Sequence, residues 1–300
     1  MKKFSILLIF LLMLGIVLSG CVDSEKDTDD KDEKKDGDRY SWSTMDEGPY
    51  KDKVSYATSS DLFNWVDSSK VLAEHASVPG AIYKDEVIYV YFVDVSVDGI
   101  PERIGLIKST DNGQTWSEKQ YIDISSVGEK VPVDPAPFLL DDGRIRLYYF
   151  DINEERSGNL ESENKIYSAI SSNGVNFIDE DVCFTKKGVY DPDVILVDGV
   201  YRMYVGDISG NKVISATSSD GLNFVEEGTA YTGGAVPDVF FKDDVYYLYT
   251  AGIDISTSSD GASFTKISYR FESNINMLTA DPSVIELNDG TYMMLYKTKQ

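Results

Sequence analysis

Aspartate residues beside regularly spaced prolines are the strongest candidates for chemistry in this 300-residue sequence. The prolines recur at intervals of 56, 57, 45 and 45 residues; they are Pro79, Pro135, Pro192, Pro237 and Pro282. The aspartates that flank them are Asp134, Asp191, Asp193, Asp238 and Asp281. Neighbouring carboxylates raise one another's pKa, and two carboxyl groups about 5 Å or about 6.5–9.5 Å apart can hydrolyse a glycosidic bond. If the fold brings these aspartates together, they predict acid–base chemistry on a sugar.

A second interpretation of the same aspartates is purely local. An aspartate beside a proline at the start of a strand can cap a turn or accept hydrogen bonds from neighbouring backbone amides. The motif is also not uniform, because valine precedes Pro79 and Pro237. The ligand-binding and the structural interpretation therefore both stay open at the level of sequence.

A serine-rich turn that ends in an aromatic residue alternates with the prolines. Its five copies are 60–65, 109–116, 172–177, 219–224 and 259–264. Asp-Gly and Asn-Gly pairs supply the positive φ that a tight hairpin needs, and serine and aspartate side chains can bond backbone N–H groups within the turn. Because turn chemistry explains the aspartates of these turns, we interpret them as structural; they are Asp61, Asp111, Asp220 and Asp260.

The order of the two repeated elements predicts the fold class. A unit of about 50 residues with two hairpins fits one four-stranded propeller blade. The last proline strand, 281–299, has no aromatic turn after it, and the first aromatic turn, 53–65, has no proline strand before it. We therefore predict an all-β, five-bladed β-propeller with four-stranded blades over residues 50–300. N-terminal strands complete the C-terminal blade and close the ring, so that no sheet edge is left open.

Blade geometry assigns the candidate residues to one face of the propeller. The connections into the first strand and between the second and third strands share one face, here named the near face. The two hairpins within each blade lie on the opposite, far face. The aspartates beside the prolines then surround the axis at the near face. Further candidates for substrate contacts there are Glu74, His75, Asp238 and Arg103.

The Asp-Pro motif, the tyrosine-rich second strand and the turn 60–65 (Ser-Asp-Leu-Phe-Asn-Trp) together resemble the five-bladed propeller glycosidases. This group includes arabinanases, β-xylosidases, levansucrases and invertases, and the resemblance covers about residues 50–300. It implies that Asp281 is the catalytic base and that Asp134 tunes the acid and orients the substrate. The general acid of the family is a glutamate, whereas the matching segment here offers Asp191 and Asp193, whose side chains are shorter.

Three functions are compatible with these residues. The first is a protein that acts on carbohydrate, as a glycoside hydrolase of arabinanase or xylosidase type that uses the central aspartates. The alternative is a noncatalytic propeller that binds glycan or protein at the cell surface. The third is a sialidase-like enzyme, because the turn 109–116 resembles the Asp-box of sialidases. A sialidase would need an arginine cluster for the carboxylate of its substrate.

The first residues predict export and a lipid anchor. Lys2 and Lys3 precede a fifteen-residue apolar run, which is shorter than the roughly 20 residues that span a bilayer. Residues 18–21, Leu-Ser-Gly-Cys, resemble the lipobox of secreted lipoproteins, which implies cleavage before Cys21 and a lipid on its sulfur. We therefore predict a signal peptide over 1–20 and a lipidated, charged, disordered tether over 21–49. The lipid would hold the propeller on the outer side of the cell membrane.

Composition bounds the partners and cofactors. The net charge of -23 repels an anionic polymer, so nucleic acid is excluded as a partner. One histidine and two cysteines cannot form a transition-metal cluster, so we expect no cofactor and no metal site. Calcium among the central carboxylates is the one exception that hard oxygen ligands allow. Cys183 is predicted to be a small buried strand residue, and the chain to be a monomer.

Overall fold

The structure of the chain, a computed structural model, describes residues 40–156, 163–207, 211–271 and 279–299. The predicted signal peptide, the lipidation site Cys21 and most of the predicted tether lie outside these residues. Within the described ranges the strands form five sheets, and each sheet is one blade of a propeller. The blades are named A to E in the chain order of their first strands.

The strands are assigned to the blades as follows. The outer pair of blade E is β1 (Asp52–Ser59) and β2 (Val66–Glu74). Blade A consists of β3 (Ala76–Lys84), β4 (Val87–Asp94), β5 (Arg103–Ser109) and β6 (Gln120–Tyr121). Blade B consists of β7 (Asp123–Ser125), β8 (Pro132–Leu139), β9 (Ile145–Asp151), β10 (Glu163–Ser171) and β11 (Asn176–Lys187). Blade C consists of β12 (Val189–Val197), β13 (Val200–Asp207), β14 (Lys212–Ser218) and β15 (Val225–Thr232). Blade D consists of β16 (Asp238–Lys242), β17 (Val245–Thr250), β18 (Asp254–Ser258) and β19 (Thr265–Arg270), and the inner pair of blade E is β20 (Thr279–Glu286) and β21 (Tyr292–Lys299).

The predicted all-β, five-bladed propeller is confirmed, with one difference in strand number. Blade B carries a fifth strand, because β7 follows blade A in the chain but pairs in parallel with β11. Its three residues, Asp123–Ser125, are too few to show a strand pattern in the sequence. The first strands of the five blades, β3, β8, β12, β16 and β20, contact one another in a closed ring around the axis.

Blade E is built from both ends of the described chain. Its strand order is β2-β1-β21-β20, and β1 pairs antiparallel with β21 along its whole length, from Asp52↔Lys299 to Ser59↔Tyr292. Met294, Leu295 and Tyr296 of β21 are fully buried. The pairing of β1 with β21 therefore joins the N-terminal strands to the C-terminal strands through backbone hydrogen bonds and apolar packing.

Helices are short in the described ranges. There they are α1 (Ile152–Arg156) and the 3-10 helices Trp42–Thr44 and Pro49–Lys51. In the part of the chain that the structure describes, none of them has the length and apolar character needed to cross a membrane.

The segment that precedes the first strand packs against the near face. Trp42 is 3% exposed, and its indole N–H donates to the carbonyl of Ile100 at 2.9 Å. The N–H of Gly99 donates to the carbonyl of Tyr40 at 2.9 Å. These contacts fix the segment to the loop between β4 and β5. The packed part of the chain therefore begins before residue 50, where composition placed the boundary of the propeller.

The apolar core lies in layers between adjacent blades. The layer between blades B and C, for example, contains Phe150 and Cys183 from blade B and Met203 from blade C. Cys183 is a free, buried thiol, as the sequence predicted. Each blade therefore buries its apolar side chains against its neighbour, and the closed ring provides a neighbour on both sides.

The repeated aromatic turns are held by their own polar side chains. In blade C, the hydroxyl of Ser218 accepts the N–H of Gly221 at 3.0 Å. The carboxylate of Asp220 accepts the N–H groups of Leu222 and Asn223 at 2.8 and 2.9 Å. The structural interpretation of these turn aspartates therefore agrees with their hydrogen bonds.

Each turn also joins its blade to the preceding one on the far face. A tyrosine hydroxyl on the second strand of one blade donates to a carbonyl of the next blade's turn at 2.8 to 2.9 Å. The pairs are Tyr91 with Gly174, Tyr148 with Gly221, Tyr204 with Gly261 and Tyr249 with Leu62. The turn's terminal aromatic packs edge-on against the same tyrosine, as Phe264 does on Tyr204 with ring centroids 5.7 Å apart. In blade E the corresponding position is Leu295, and Tyr56 on the adjacent strand donates to Gly113 at 3.3 Å instead.

Candidate functional site

A distortion that recurs in every blade positions the residue before each proline. These residues all have left-handed backbone, with φ between 46° and 54°; they are Val78, Asp134, Asp191, Val236 and Asp281. In blades A, B, C and E the register of the first strand shifts at the same point, and one extra residue lies opposite the second strand. Such a bulge re-aims the side chain of the extra residue. All five of these residues line a cavity on the propeller axis.

This axial cavity has a volume of about 400 Å³. It is lined by 78–83, 134–139, 191–196, 236–241 and 281–286, which belong to the first-strand regions of all five blades. These stretches run from the prolines at the near face to the hairpins at the far face, so the cavity is a channel along the axis. Its size suits a small polar ligand. The aspartates that precede the prolines lie at its near-face end.

Asp134 and Asp191 are neighbouring carboxyl groups at this end of the channel, close enough for a hydrogen bond between them. A hydrogen bond between two carboxyl groups requires a proton on one of them. Burial raises the pKa of Asp191 well above its ordinary value, and the negative charges of Asp134 and Asp281 raise it further. Asp191 is therefore the carboxyl group that retains its proton at a pH where ordinary aspartates are ionised.

Asp281 instead faces a partly buried lysine. The Nζ of Lys297 lies 2.5 Å from the Oδ2 of Asp281, whose side chain is 4% exposed. Asp52 also lies near this ammonium group; burial raises the pKa of Asp52 to about 6, an effect that Lys297 opposes and Asp281 reinforces. Burial would lower the pKa of Lys297, but the carboxylates of Asp281 and Asp52 raise it by more. The site therefore holds one carboxylate paired with a cation in blade E and, in blade C, one that keeps its proton.

Sequence reasoning did not find Lys297 and Asp52. The two residues come from opposite ends of the chain and meet only because β1 pairs with β21, where Lys297 lies opposite Val54. Asp52 is two residues from Val54 and so shares a face of the sheet with Lys297. The sequence signal for a charged partner in the site was Lys297 itself, because this lysine directly follows the buried apolar run Met293–Tyr296 in a strand predicted to be central.

Asp193 and Asp238 lie farther along the channel and connect adjacent blades. Asp193 of blade C accepts the N–H of Val239 of blade D at 2.8 Å, and Asp238 accepts the N–H of Val284 of blade E at 3.2 Å. Ser283 continues the series, since its hydroxyl accepts the N–H of Ala81 of blade A at 3.0 Å. Burial raises the pKa of Asp193 to about 7. Burial also raises the pKa of Asp238, and the negative charge of Asp193 raises it further. These bonds give both aspartates a structural role beside any contact with a ligand.

The other predicted near-face residues lie away from the channel. Glu74 ends the outermost strand of blade E, and its carboxylate pairs with the Nζ of Lys53 at 3.0 Å. The Nδ1 of His75 lies 2.6 Å from the carbonyl oxygen of Tyr50, and the two rings stack at 3.9 Å. The guanidinium group of Arg103 lies 3.5 Å from the ring centroid of Tyr121. Glu74, His75 and Arg103 are not among the residues that line the axial channel.

The described residues also bear on the question of a metal ion. Among them, no group of three or more histidine, cysteine, aspartate or glutamate side chains is arranged to hold one. Calcium among the central carboxylates stays a prediction.

Comparison with protein-family models and with curated protein sequences found no match. Among solved structures, the chain is similar to an endo-1,4-beta-xylanase from Bacteroides thetaiotaomicron, with a TM-score of 0.59 and 16% identity over 72% of this chain and 82% of the other. It is similar to a thermostable family-43 glycoside hydrolase, with a TM-score of 0.58 and 15% identity over 75% of this chain and 89% of the other. It is also similar to a family 117 glycoside hydrolase from the marine bacterium Zobellia galactanivorans, with a TM-score of 0.57 and 15% identity over 84% of this chain and 91% of the other. The chain therefore shares its propeller fold with solved glycoside hydrolases.

Proposed function

We propose that the protein is a glycoside hydrolase that acts on carbohydrate at the near-face end of the axial channel. The observation that supports this best is the unlike state of two aspartates in one site. Asp281 is paired with Lys297, whereas Asp191 is buried beside the carboxyl group of Asp134, and both effects raise the pKa of Asp191. Acid–base hydrolysis of a glycosidic bond needs one carboxylate that accepts a proton and one carboxylic acid that donates one. The fold similarity to glycoside hydrolases is consistent with this chemistry.

In the proposed reaction each aspartate has one role. Asp281 accepts a proton from the water molecule that attacks the anomeric carbon. Asp191 donates its proton to the glycosidic oxygen while the bond to the leaving group breaks. Asp134 orients Asp191 through their hydrogen bond and favours its protonated form. Because aspartate is one methylene shorter than glutamate, the glycosidic oxygen must bind close to β12.

Sugar release by the purified full-length protein tests this proposal. The substrates are arabinan, xylan, fructan, mannan and a panel of sialosides. Asp281→Asn is expected to lower kcat by on the order of 100- to 10,000-fold, because the amide cannot accept the proton. Asp244→Asn is the matched control, since Asp244 is exposed in a far-face turn and asparagine tolerates its φ of 60°. Unchanged release by Asp281→Asn, or no release by the folded wild type, would contradict the proposal.

A noncatalytic carbohydrate-binding propeller is the second candidate. The burial of the Asp281 side chain favours it, because 4% exposure leaves little surface for an attacking water molecule. Binding of one of the same glycans without sugar release, measured by calorimetry, would support this candidate over the hydrolase. In either case we place the protein on the outer cell surface, held by the lipid anchor that residues 18–21 predict; membrane fractionation checks this placement.

A further inference from the structure

We infer that Lys297 is a positioning residue of the site, which holds the Asp281 carboxylate in a fixed orientation at the near-face end of the channel. The inference rests on the proposed function, because it assigns a role in the reaction of Asp281.

The geometry of blade E places Lys297 between two carboxylates. On β21, Lys297 lies opposite Ala280 of β20 on one side and opposite Val54 of β1 on the other. Asp281 follows Ala280 in the bulge of β20, and its Oδ2 is 2.5 Å from the Nζ of Lys297. The ammonium group is thus held by neighbouring strands on both sides, and it contacts the carboxylate that the proposed reaction uses as base.

Propeller packing does not require a cation at this position. In blade E, Lys297 lies on the second strand, opposite the residue that precedes the bulge of the first strand. The residue at this place is Val93 in blade A, Phe150 in blade B and Gly206 in blade C. All three are uncharged, although each occupies the same place in its own blade. A buried ammonium group is also costly unless it is paired. Lys297 therefore matches the chemistry of the site rather than the architecture of the blade.

The charged groups around Lys297 come from separate strands. They are Asp281 on β20, Asp52 on β1 and Asp191 on β12. The positive charge of Lys299 on β21 lowers the pKa of Asp52. Without the charge of Lys297, Asp281 would face the carboxyl groups of Asp52 and Asp191 with no cation in contact. Like charges at short range repel one another. Loss of the lysine charge should therefore let the Asp281 carboxylate turn away from its position in the site.

Lys297→Gln tests the inference, because glutamine retains an N–H donor but has no charge. The measurement is kcat and KM for sugar release by the full-length protein. We expect kcat to fall about tenfold or more while KM changes little, because the base is no longer held in place. Lys297→Arg keeps the charge and is expected to restore most of kcat. Lys242→Gln is the matched control, since it breaks the ion pair of Lys242 with Glu286 at 2.7 Å, where no loss of kcat is expected.

The outcomes separate this inference from the proposed function. An unchanged kcat in Lys297→Gln, or an equal loss of kcat in Lys297→Arg, overturns the inference and leaves the hydrolase standing if Asp281→Asn is inactive. A wild type that releases no sugar overturns both. If Lys297→Gln does not fold, NMR of the ¹⁵N-labelled lysines in Asp281→Asn replaces it. We then expect the ammonium group of Lys297 to lose its proton at lower pH than in the wild type, and an unchanged titration overturns the inference.

Discussion

Aspartate has opposite properties at different positions of this protein, and its surroundings decide which. In the turn of blade C, Asp220 accepts N–H groups of Leu222 and Asn223, which hold its pKa below the ordinary value. In the wall of the channel, burial raises the pKa of Asp193 to about 7, although the N–H of Val239 opposes this effect. Near pH 6 the first side chain is an anion and the second holds its proton. Residue type alone therefore does not identify the acid–base groups.

The raised pKa values predict that the free energy of unfolding decreases as the pH rises from about 4 to about 7. Asp193 releases its proton near 3.8 when its pKa is ordinary, as in the unfolded chain, but near 7 in the folded protein. Within this window the unfolded chain binds fewer protons than the folded chain, so each increase in pH favours unfolding. A shift of about three pKa units corresponds to on the order of 4 kcal/mol. Asp52 and Asp238 act in the same direction. Urea denaturation at pH 5 and pH 7.5 measures the decrease.

Asp193→Asn tests the source of this pH dependence. The amide does not titrate, but its oxygen can still accept the N–H of Val239, so the variant should lose less stability than the wild type between pH 5 and pH 7.5. Asp220→Asn is the matched control, because Asn173 occupies the same place in the turn of blade B and Asp220 titrates below this range. Equal pH dependence in Asp193→Asn and the wild type would refute the assignment.

At the scale of elements, the tyrosine bonds to the aromatic turns should contribute to stability across the blade interfaces. Tyr204→Phe removes the donor to the carbonyl of Gly261 and leaves that carbonyl buried without its partner. We expect a loss of about 1 kcal/mol in the free energy of unfolding. Tyr83→Phe is the control, since the hydroxyl of Tyr83 is buried and has no hydrogen-bond partner among the described residues. Its removal should be neutral or stabilising; equal losses in the two variants, measured by urea denaturation, would argue against the bond.

The sequence predicted those elements that depend on local chemistry. The turns could be recognised because serine, aspartate and glycine act within a few residues, and the prolines marked the first strand of each blade. The left-handed backbone at Asp134 or Val236 could not be predicted, since a residue before proline is normally extended. The ion pair of Lys297 also escaped prediction, because it depends on the register between strands at opposite ends of the chain. The same holds for the bond from Val239 to Asp193, which joins two blades.

At the scale of the whole molecule, ring closure and the candidate site are parts of one structure. Blade E supplies Asp281 from β20, Lys297 from β21 and Asp52 from β1, so its N-terminal and C-terminal strands both contribute to the ionic cluster. Blades B and C supply Asp134 and Asp191, which approach Asp281 only when the first strands form the closed ring. The fold thus couples the completeness of the propeller to the charge state of the site.

A chain that begins at Ala76 should therefore fail to form a stable propeller. It lacks β1 and β2, which exposes the backbone edge of β21 and the fully buried side chains Met294 and Leu295. An open apolar edge promotes association between chains, so we expect aggregates in size-exclusion chromatography. A chain that begins at Tyr40 keeps the complete blade E and the packed segment around Trp42, and it should remain a folded monomer, which provides the control. Adding residues 52–74 as a separate peptide should restore solubility to the shorter chain, because β1 can again pair with β21. A monomeric, native-like protein that begins at Ala76 would show that four complete blades suffice and that closure by β1 is dispensable.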